Sequence, residues 1–151
     1  MNVIFRGEPM SKEKNRKRTW LIILLAVYLL ILFRITIFRS HTYPTDYAVN
    51  LSLFTDLVAT YHENGIWMVI YLVVGNIVWF VPFGFLLPLI WERLKSYAVI
   101  PLGFSLSLII EVSQLVSGKG MFEIDDLVLN SFGSALGYLA YKAFCHFKKQ
   151  S

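Results

Sequence analysis

The sequence has a single cysteine, Cys145, and only three histidines, which are His41, His62 and His146. One cysteine excludes an intramolecular disulfide, and the scattered histidines match neither a zinc site nor a catalytic triad. Gly-rich phosphate loops, internal repeats and low-complexity tracts are also missing. We therefore expect no metal and no cofactor, and the sequence offers no sign of a nucleotide-binding or disulfide-stapled protein.

Charged residues are scarce as well, at 16% of the chain, whereas 56% of the residues are hydrophobic and the mean hydropathy is +0.58. This composition exceeds that of ordinary soluble domains. A membrane-spanning helix needs roughly 20 mainly apolar residues. Four windows of the sequence have that length, and they cover residues 20–38, 67–90, 97–116 and 127–147. The predicted fold class is an all-α polytopic membrane protein, a bundle of about four transmembrane helices.

The first apolar run follows the basic stretch KEKNRKR, an order that secretory signal peptides share. Here the apolar run continues to Phe38, and the segment after it offers no small-x-small cleavage site. We interpret it as a retained span, with Met10 as an alternative start to Met1. The domain prediction is a basic tail over residues 1–18, a transmembrane domain over 19–147 that includes a loop at 39–66, and a short tail at 148–151.

Basic residues are unevenly distributed between the two sides that these spans define. With the N-terminus inside, 11 of the 14 lysines and arginines flank the inner ends of the spans. Cytoplasmic flanks accumulate such residues, so both termini are predicted to be cytoplasmic in a multi-pass protein of the cell membrane. The net charge of +4 is then a topology signal and does not indicate a nucleic-acid partner. The expected partner is the lipid bilayer, and the sequence is compatible with an oligomer.

Polar residues gather where the third predicted span ends and the fourth begins. Glu111 and Gln114 close the third span, Asp126 and Asn130 open the fourth, and Asn76 lies within the second. An ionisable group inside a span costs about 2.5–3.5 kcal/mol on insertion scales and is a functional candidate by default. These five residues are predicted to line a polar pocket that faces the outer leaflet.

Structural alternatives stand beside this interpretation. Asp125 and Asp126 lie where a carboxylate would cap the next helix. Gln114 and Asn130 are also suited to hydrogen bonds between helices. Pro82, inside the second span, predicts a kink that frees the carbonyl of Val78. Each of these roles would explain the residue without a ligand.

Small residues recur on the third and fourth spans. Gly133 and Gly137 form a small-xxx-small pair, which allows helix backbones to approach closely. We expect this pair to meet Gly103 and Ser107 of the third span. The interface between the third and fourth spans would then be closely packed below the polar pocket.

The predicted outer loop contains the segment NLSLFTDLVATYHENG, which suggests a short helix that ends near Gly65. Asn50 or Thr55 is the expected N-cap. The apolar residues of this helix are predicted to lie on the membrane. They are Leu57, Val58 and Tyr61.

These segments resemble the VanZ-like family of bacterial membrane proteins, named for a glycopeptide-resistance accessory protein associated with teicoplanin. The residues that carry the resemblance are, in chain order, Asn50, Leu51 and Phe54; Asn76, Phe80, Pro82, Phe83 and Gly84; Glu111 and Gln114; and Asp126, Asn130, Gly133 and Gly137. Two positions depart from the family pattern, because Leu53 stands where many members have proline and Lys119 where they have arginine. A lysine keeps the charge but loses bidentate recognition of a carboxylate or phosphate.

The resemblance implies a cell-envelope protein with a role in antibiotic resistance, and two functions remain open. The first is a binding protein whose pocket affects tolerance to lipidated glycopeptides such as teicoplanin, or takes a lipid-linked cell-wall ligand. The second is a membrane-embedded enzyme that acts on a lipid-linked envelope substrate, with Glu111 and Asp126 as an acid and base pair, since burial can separate two carboxyl pKa values. A small transporter would need oligomerisation, because four spans leave little room for a pathway. The candidate binding residues are Asn50, Asn76, Glu111, Gln114, Lys119, Asp126 and Asn130. The candidate structural residues are Pro82, Gly84, Gly133 and Gly137.

Overall fold

The computed structural model describes residues 12–37 and 49–150. Four long helices and one short helix account for most of these residues. The elements in chain order are α1 (Lys12–Ile37), β1 (Val49–Asn50), α2 (Thr55–Asn64), α3 (Ile66–Ile90), α4 (Val99–Ser117), β2 (Phe122–Glu123) and α5 (Ile124–Gln150). The predicted all-α bundle of four long helices is confirmed.

The helix bounds follow the predicted spans closely, with one exception. α1 begins at Lys12, well before the predicted span at residues 20–38. The basic stretch KEKNRKR is thus helical, because lysine, arginine and glutamate are good helix formers and the apolar part of the helix continues from it. Residue 38 at the end of the predicted first span and residues 39–48 of the predicted loop lie outside the described residues.

Three of the long helices have the length and apolar composition of membrane spans, and they cover Lys12–Thr36, Ile66–Ile90 and Ser96–Ser117. Large apolar side chains point away from the bundle, including Leu30 and Trp67, which are 72% and 80% exposed. A helix that is apolar on every side is typical of a membrane span. α5 is long enough but more polar, with two acids in its first turn and two lysines in its last. Its crossing of the membrane stays a prediction.

α3 and α5 run parallel and form the closest helix pair of the bundle. A Cβ atom on Gly133 would overlap the carbonyl oxygen of Ile77, and one on Gly137 would overlap that of Val81. A Cβ atom on Gly84 would likewise overlap the carbonyl oxygen of Ser134. The glycines of α5 therefore pack on α3, and the expectation that they meet α4 was wrong. A small-xxx-small pair predicts that another helix packs closely on that face, but it does not identify which helix.

α4 runs antiparallel to α5, and α1 covers α3 and α4 from the other side. Leu32, Phe80 and Ile110 bring α1, α3 and α4 together in a fully buried cluster. A Cβ atom on Gly103 of α4 would meet the side chain of Ser134 on α5. We call the end of the bundle that holds α2 and the α4–α5 connection the turn end. The end that holds Lys12 and Gln150 is the tail end.

A pair of two-residue strands joins the distant segments of the turn end. β1 pairs in parallel with β2, with Val49 opposite Phe122 and Asn50 opposite Glu123. α4 ends in a left-handed residue at Gly118, a conformation that glycine adopts without a steric penalty. The turn between α4 and α5 thereby comes beside the segment that precedes α2.

α2 confirms the predicted short helix before α3. Gly65 ends it, and the Gly65 N–H donates to the carbonyl of Tyr61 at 3.0 Å. The predicted N-cap was wrong, since Phe54 occupies the cap position without a side-chain hydrogen bond and Thr55 is already helical. Phe54 has φ of 60°, a left-handed conformation uncommon for residues other than glycine.

Pro82 lies inside α3, which stays helical from Ile66 to Ile90. The Tyr28 hydroxyl of α1 donates to the carbonyl of Trp79, one turn before the proline. This bond ties α1 to α3 beside Val78, although Trp79 is not the residue whose carbonyl Pro82 was predicted to free. The proline is thus accommodated within a continuous span.

Candidate functional site

A cavity of about 540 Å³ opens at the turn end, between α2, the first half of α3, the α4–α5 connection and the start of α5. Cavities of this volume are typical of small-ligand sites. One wall is an i, i+4 series that begins on α2 and continues on α3. Its members are Asp56, Thr60, Asn64, Met68, Leu72 and Asn76.

The cavity brings together four of the seven predicted binding residues, which are Asn76, Gln114, Lys119 and Asp126. The other three, Asn50, Glu111 and Asn130, lie behind or beside this wall and do not line it. Polar residues of the second, third and fourth predicted spans therefore do come together. Some of them face the cavity, and the others lie behind the residues that face it.

Asn76 and Asp126 connect α3 with α5 inside the cavity. The Asn76 side-chain amide donates to one carboxylate oxygen of Asp126. The backbone carbonyl of Asp126 accepts a long hydrogen bond from the Ser107 hydroxyl at 3.5 Å. Asp126 is thus held by two neighbouring helices while its side chain lines the cavity.

Gln114 extends from the last turn of α4 towards both α1 and the cavity. Its Nε2 donates to the carbonyl of Thr36 at 3.1 Å. Its Oε1 is fully buried and has no hydrogen-bond partner among the described residues. Buried polar atoms without partners are uncommon and costly in folded proteins. Gln114 therefore lines the cavity and contacts α1, while its second amide atom is buried away from the accessible surface.

Glu111 is only 1% exposed and does not line the cavity. Its Oε2 accepts the backbone N–H of Glu123 at 2.9 Å. Because Glu123 belongs to β2, this bond fastens the α4–α5 connection to the body of α4. The side chain lies directly behind the cavity wall that Glu123 and Asp126 form.

Asn130 lies deeper in the bundle, between α4 and α5. Its side-chain amide donates to the Ser107 hydroxyl at 2.8 Å, and both residues are buried. The Ser134 hydroxyl in turn donates to the carbonyl of Asn130 at 3.2 Å. This geometry matches the structural alternative, in which Asn130 forms a hydrogen bond between helices.

Asn50 supports the cavity through Asp56. Its side-chain amide donates to the Asp56 carboxylate, and its Oδ1 accepts the backbone N–H of Ser52 at 2.9 Å. Asp56 itself lines the cavity. Asn50 therefore acts as a neighbour that orients a cavity residue.

Asp125 has a role that the sequence did not reveal. Both of its carboxylate oxygens accept the backbone N–H of Phe54, at 2.8 and 3.0 Å. Hydrogen bonds to an ionised acceptor are stronger than those between neutral groups. This buried carboxylate thus holds Phe54 in its left-handed conformation and fixes the start of α2 over the cavity. The sequence interpretation treated Asp125 as a helix cap.

The sequence interpretation also missed several polar residues of the cavity. Asp56, Thr60 and Asn64 lie four residues apart on α2, so they share one face. That spacing was the available signal, but the prediction for α2 considered only its apolar residues, Leu57, Val58 and Tyr61, and assigned all three to the membrane. Of those, Val58 and Tyr61 are exposed, whereas Leu57 lines the cavity.

The charges that line the cavity are mostly negative. Asp56, Glu123, Asp125 and Asp126 supply four carboxyl groups, and Lys119 supplies an ammonium group. Within residues 12–37 and 49–150, no group of three or more His, Cys, Asp or Glu side chains has an arrangement suited to a metal ion. The lining therefore combines hydrogen-bond acceptors, amides and apolar side chains.

Comparison with known protein families matches residues 19–145 to VanZ/LLP1. The chain belongs to the VanZ/LLP1 family. Comparisons with curated proteins and with solved structures found no match. The VanZ/LLP1 match contains every residue that lines the cavity, so the cavity is built within the family region of the chain.

Proposed function

We propose that this VanZ/LLP1 membrane protein binds a polar group of an envelope-active ligand in the turn-end cavity. The observation that carries the proposal is a cavity of about 540 Å³ with several carboxyl and amide side chains directed into it. Ligand sites commonly combine apolar walls with a few placed polar groups.

The cavity is proposed to open towards the outer leaflet. Lys148 and Lys149 end α5, and the basic stretch KEKNRKR begins α1, so the tail end is strongly basic. The positive-inside rule places such an end in the cytoplasm. The turn end, with its carboxyl groups, would then face the outside.

The charge of the lining favours a particular kind of ligand. Four carboxyl groups against one ammonium group disfavour a phosphate and favour a ligand rich in N–H and O–H donors or carrying an ammonium group. A glycopeptide presents such donors. Teicoplanin also carries an acyl chain, and burial of that chain at about 0.8 kcal/mol per methylene holds the drug at the outer leaflet. We therefore propose that the protein binds lipidated glycopeptides and so affects tolerance to them.

The alternative enzyme function receives less support. An acid and base pair requires both groups to reach the substrate. Asp126 lines the cavity, but Glu111 lies behind it and its carboxylate accepts the Glu123 N–H at 2.9 Å. The geometry therefore supports binding over acid and base catalysis by this pair.

The test compares teicoplanin and vancomycin in a susceptible Gram-positive host that expresses the protein. We expect the minimum inhibitory concentration of teicoplanin to rise more than that of vancomycin. Asn64→Lys should erase the difference, because Asn64 lines the cavity and a lysine there adds positive charge within reach of the ligand. His62→Lys adds a cation on the same helix but not in the cavity lining, so it is the matched control.

Equal shifts for the two drugs at matched protein levels, or no shift with well-expressed protein, would contradict the proposed role in tolerance. If both Asn64→Lys and His62→Lys abolish the difference between the teicoplanin and vancomycin shifts, the effect is a general one of surface charge. That result would contradict binding in the cavity.

A further inference from the structure

A second cavity, also of about 540 Å³, lies at the tail end of the bundle. It is bounded by the first turns of α1, by the end of α3 with the residues that follow it, and by the end of α5. No part of it overlaps the turn-end cavity. It has no role in the function proposed above.

Five of its ten lining residues are cationic. They are Lys14, Lys17, Arg18, Arg93 and Lys148. Glu92 is the carboxylate of the lining, and Lys14 donates to it at 2.8 Å. The pKa of Glu92 lies below its ordinary value because of Lys14, with a smaller contribution from the positive charge of Arg18. The cavity is therefore strongly electropositive.

The ion pairs at this end do not neutralise the cavity. Lys17 pairs with Glu13 at 2.7 Å, and both side chains are largely exposed. The Lys14–Glu92 pair is exposed as well. Exposed pairs of this kind contribute little to stability and are readily exchanged for another partner. An anion that enters the cavity can therefore recruit these lysines at small cost.

The rest of the lining places the cavity at the membrane surface. Leu21, Leu89 and Ile90 provide apolar side chains, and Ile90 is the last residue of the α3 span. Trp91 follows directly and is 41% exposed. Tryptophan at the end of a span is typical of the level of the lipid headgroups. Charged and apolar surfaces thus meet at the depth where a phospholipid presents its phosphate above its acyl chains.

We propose that this cavity binds the phosphate headgroup of an anionic phospholipid, with the acyl chains against α1 and α3. Basic pockets between transmembrane helices bind such headgroups. Phosphate is the shared chemistry of a lipid headgroup and free inorganic phosphate, but the apolar wall of Leu21, Leu89 and Ile90 gives only the lipid something to contact. The lipid would join α1 to α3 and α5 at the tail end.

The experiment measures the unfolding temperature of the purified full chain in a neutral detergent. Phosphatidylglycerol, phosphatidylcholine with the same acyl chains and inorganic phosphate are titrated separately. Phosphatidylglycerol should raise the unfolding temperature saturably, whereas the other two should not. A matching rise with inorganic phosphate would overturn the lipid assignment, and the absence of any rise with phosphatidylglycerol would overturn the site.

Two double variants localise the effect. Arg18→Gln with Arg93→Gln removes two cations from the cavity, and at about 1 kcal/mol for each basic residue the apparent affinity should fall about 30-fold. Arg16→Gln with Lys95→Gln removes the same charge from residues that do not line the cavity, so it should retain the wild-type titration. Equal losses in both double variants would mean general surface attraction and would overturn the proposed cavity.

Discussion

The acidic and basic side chains at the two ends of the bundle differ in their burial and in their hydrogen-bond partners. At the turn end, carboxylates are buried and accept backbone N–H groups that are far away in sequence, as Asp125 does from Phe54 and Glu111 from Glu123. At the tail end, the charged side chains are exposed and pair with one another, as Lys14 does with Glu92. Buried hydrogen bonds require one geometry, whereas exposed pairs tolerate many. The turn end thus holds a cavity whose walls are fixed by buried bonds, and the tail end holds a basic cavity whose ion pairs are exposed.

The largest effect on protein stability is expected from a change in the α3–α5 contact. Both ends of the bundle include residues from these two helices. In Gly137→Leu the new side chain would collide with the backbone of Val81 and Phe85. Overpacking typically costs 1–3 kcal/mol, and a collision with backbone should cost more than about 3 kcal/mol. The protein should largely disappear from membrane fractions, as measured by immunoblot.

Gly75→Leu is the control for this change. Gly75 also lies in α3, but a Cβ atom there would meet nothing within 4 Å. The amount of the Gly75→Leu protein in membrane fractions should stay near that of the wild type. Comparable loss in both variants would mean that the membrane span itself, and not the contact with α5, is sensitive to the added side chain.

A smaller effect is expected when the bond that fixes the start of α2 is weakened. Both oxygens of Asp125 accept the Phe54 N–H, whereas the amide in Asp125→Asn has one acceptor oxygen, and weakening a hydrogen bond of this kind costs about 0.5–1.5 kcal/mol. Limited proteolysis should then cut the chain near residues 49–54 more rapidly. Glu92→Gln, the corresponding change at the tail end, should leave cleavage unchanged because its pair is exposed. Equal cleavage in Asp125→Asn and Glu92→Gln would show that the buried bond at the turn end matters no more for local stability than the exposed pair at the tail end.

The smallest effect is expected at Glu111. In Glu111→Gln the amide oxygen can still accept the Glu123 N–H, so both protein amount and teicoplanin tolerance should stay close to wild type. Glu111→Leu cannot accept that bond and should lower both. Minimum inhibitory concentrations at matched protein levels give the comparison. Full loss of tolerance in Glu111→Gln with normal protein amount would favour the acid and base function.

The sequence predicted the long helices well, because spans of apolar residues are a strong and local signal. It also predicted that Asn76, Gln114 and Asp126 would meet. It did not predict that Gly133 and Gly137 pack on α3, since small residues indicate close approach without naming the partner. It missed the bond between Asp125 and Phe54 because those residues lie 71 positions apart and Asp125 fits a helix cap equally well.

The central claim is that the turn-end cavity faces the outside and binds a polar group of a lipidated glycopeptide. It is tested most directly by labelling single cysteines in intact cells with a membrane-impermeant thiol reagent, after Cys145→Ser. We expect Asn64→Cys and His62→Cys to react, Lys95→Cys and Lys149→Cys to remain unlabelled, and teicoplanin to slow labelling at position 64 but not at position 62. Labelling of Lys95→Cys in sealed cells, or labelling at position 64 that teicoplanin leaves unchanged, would contradict the account.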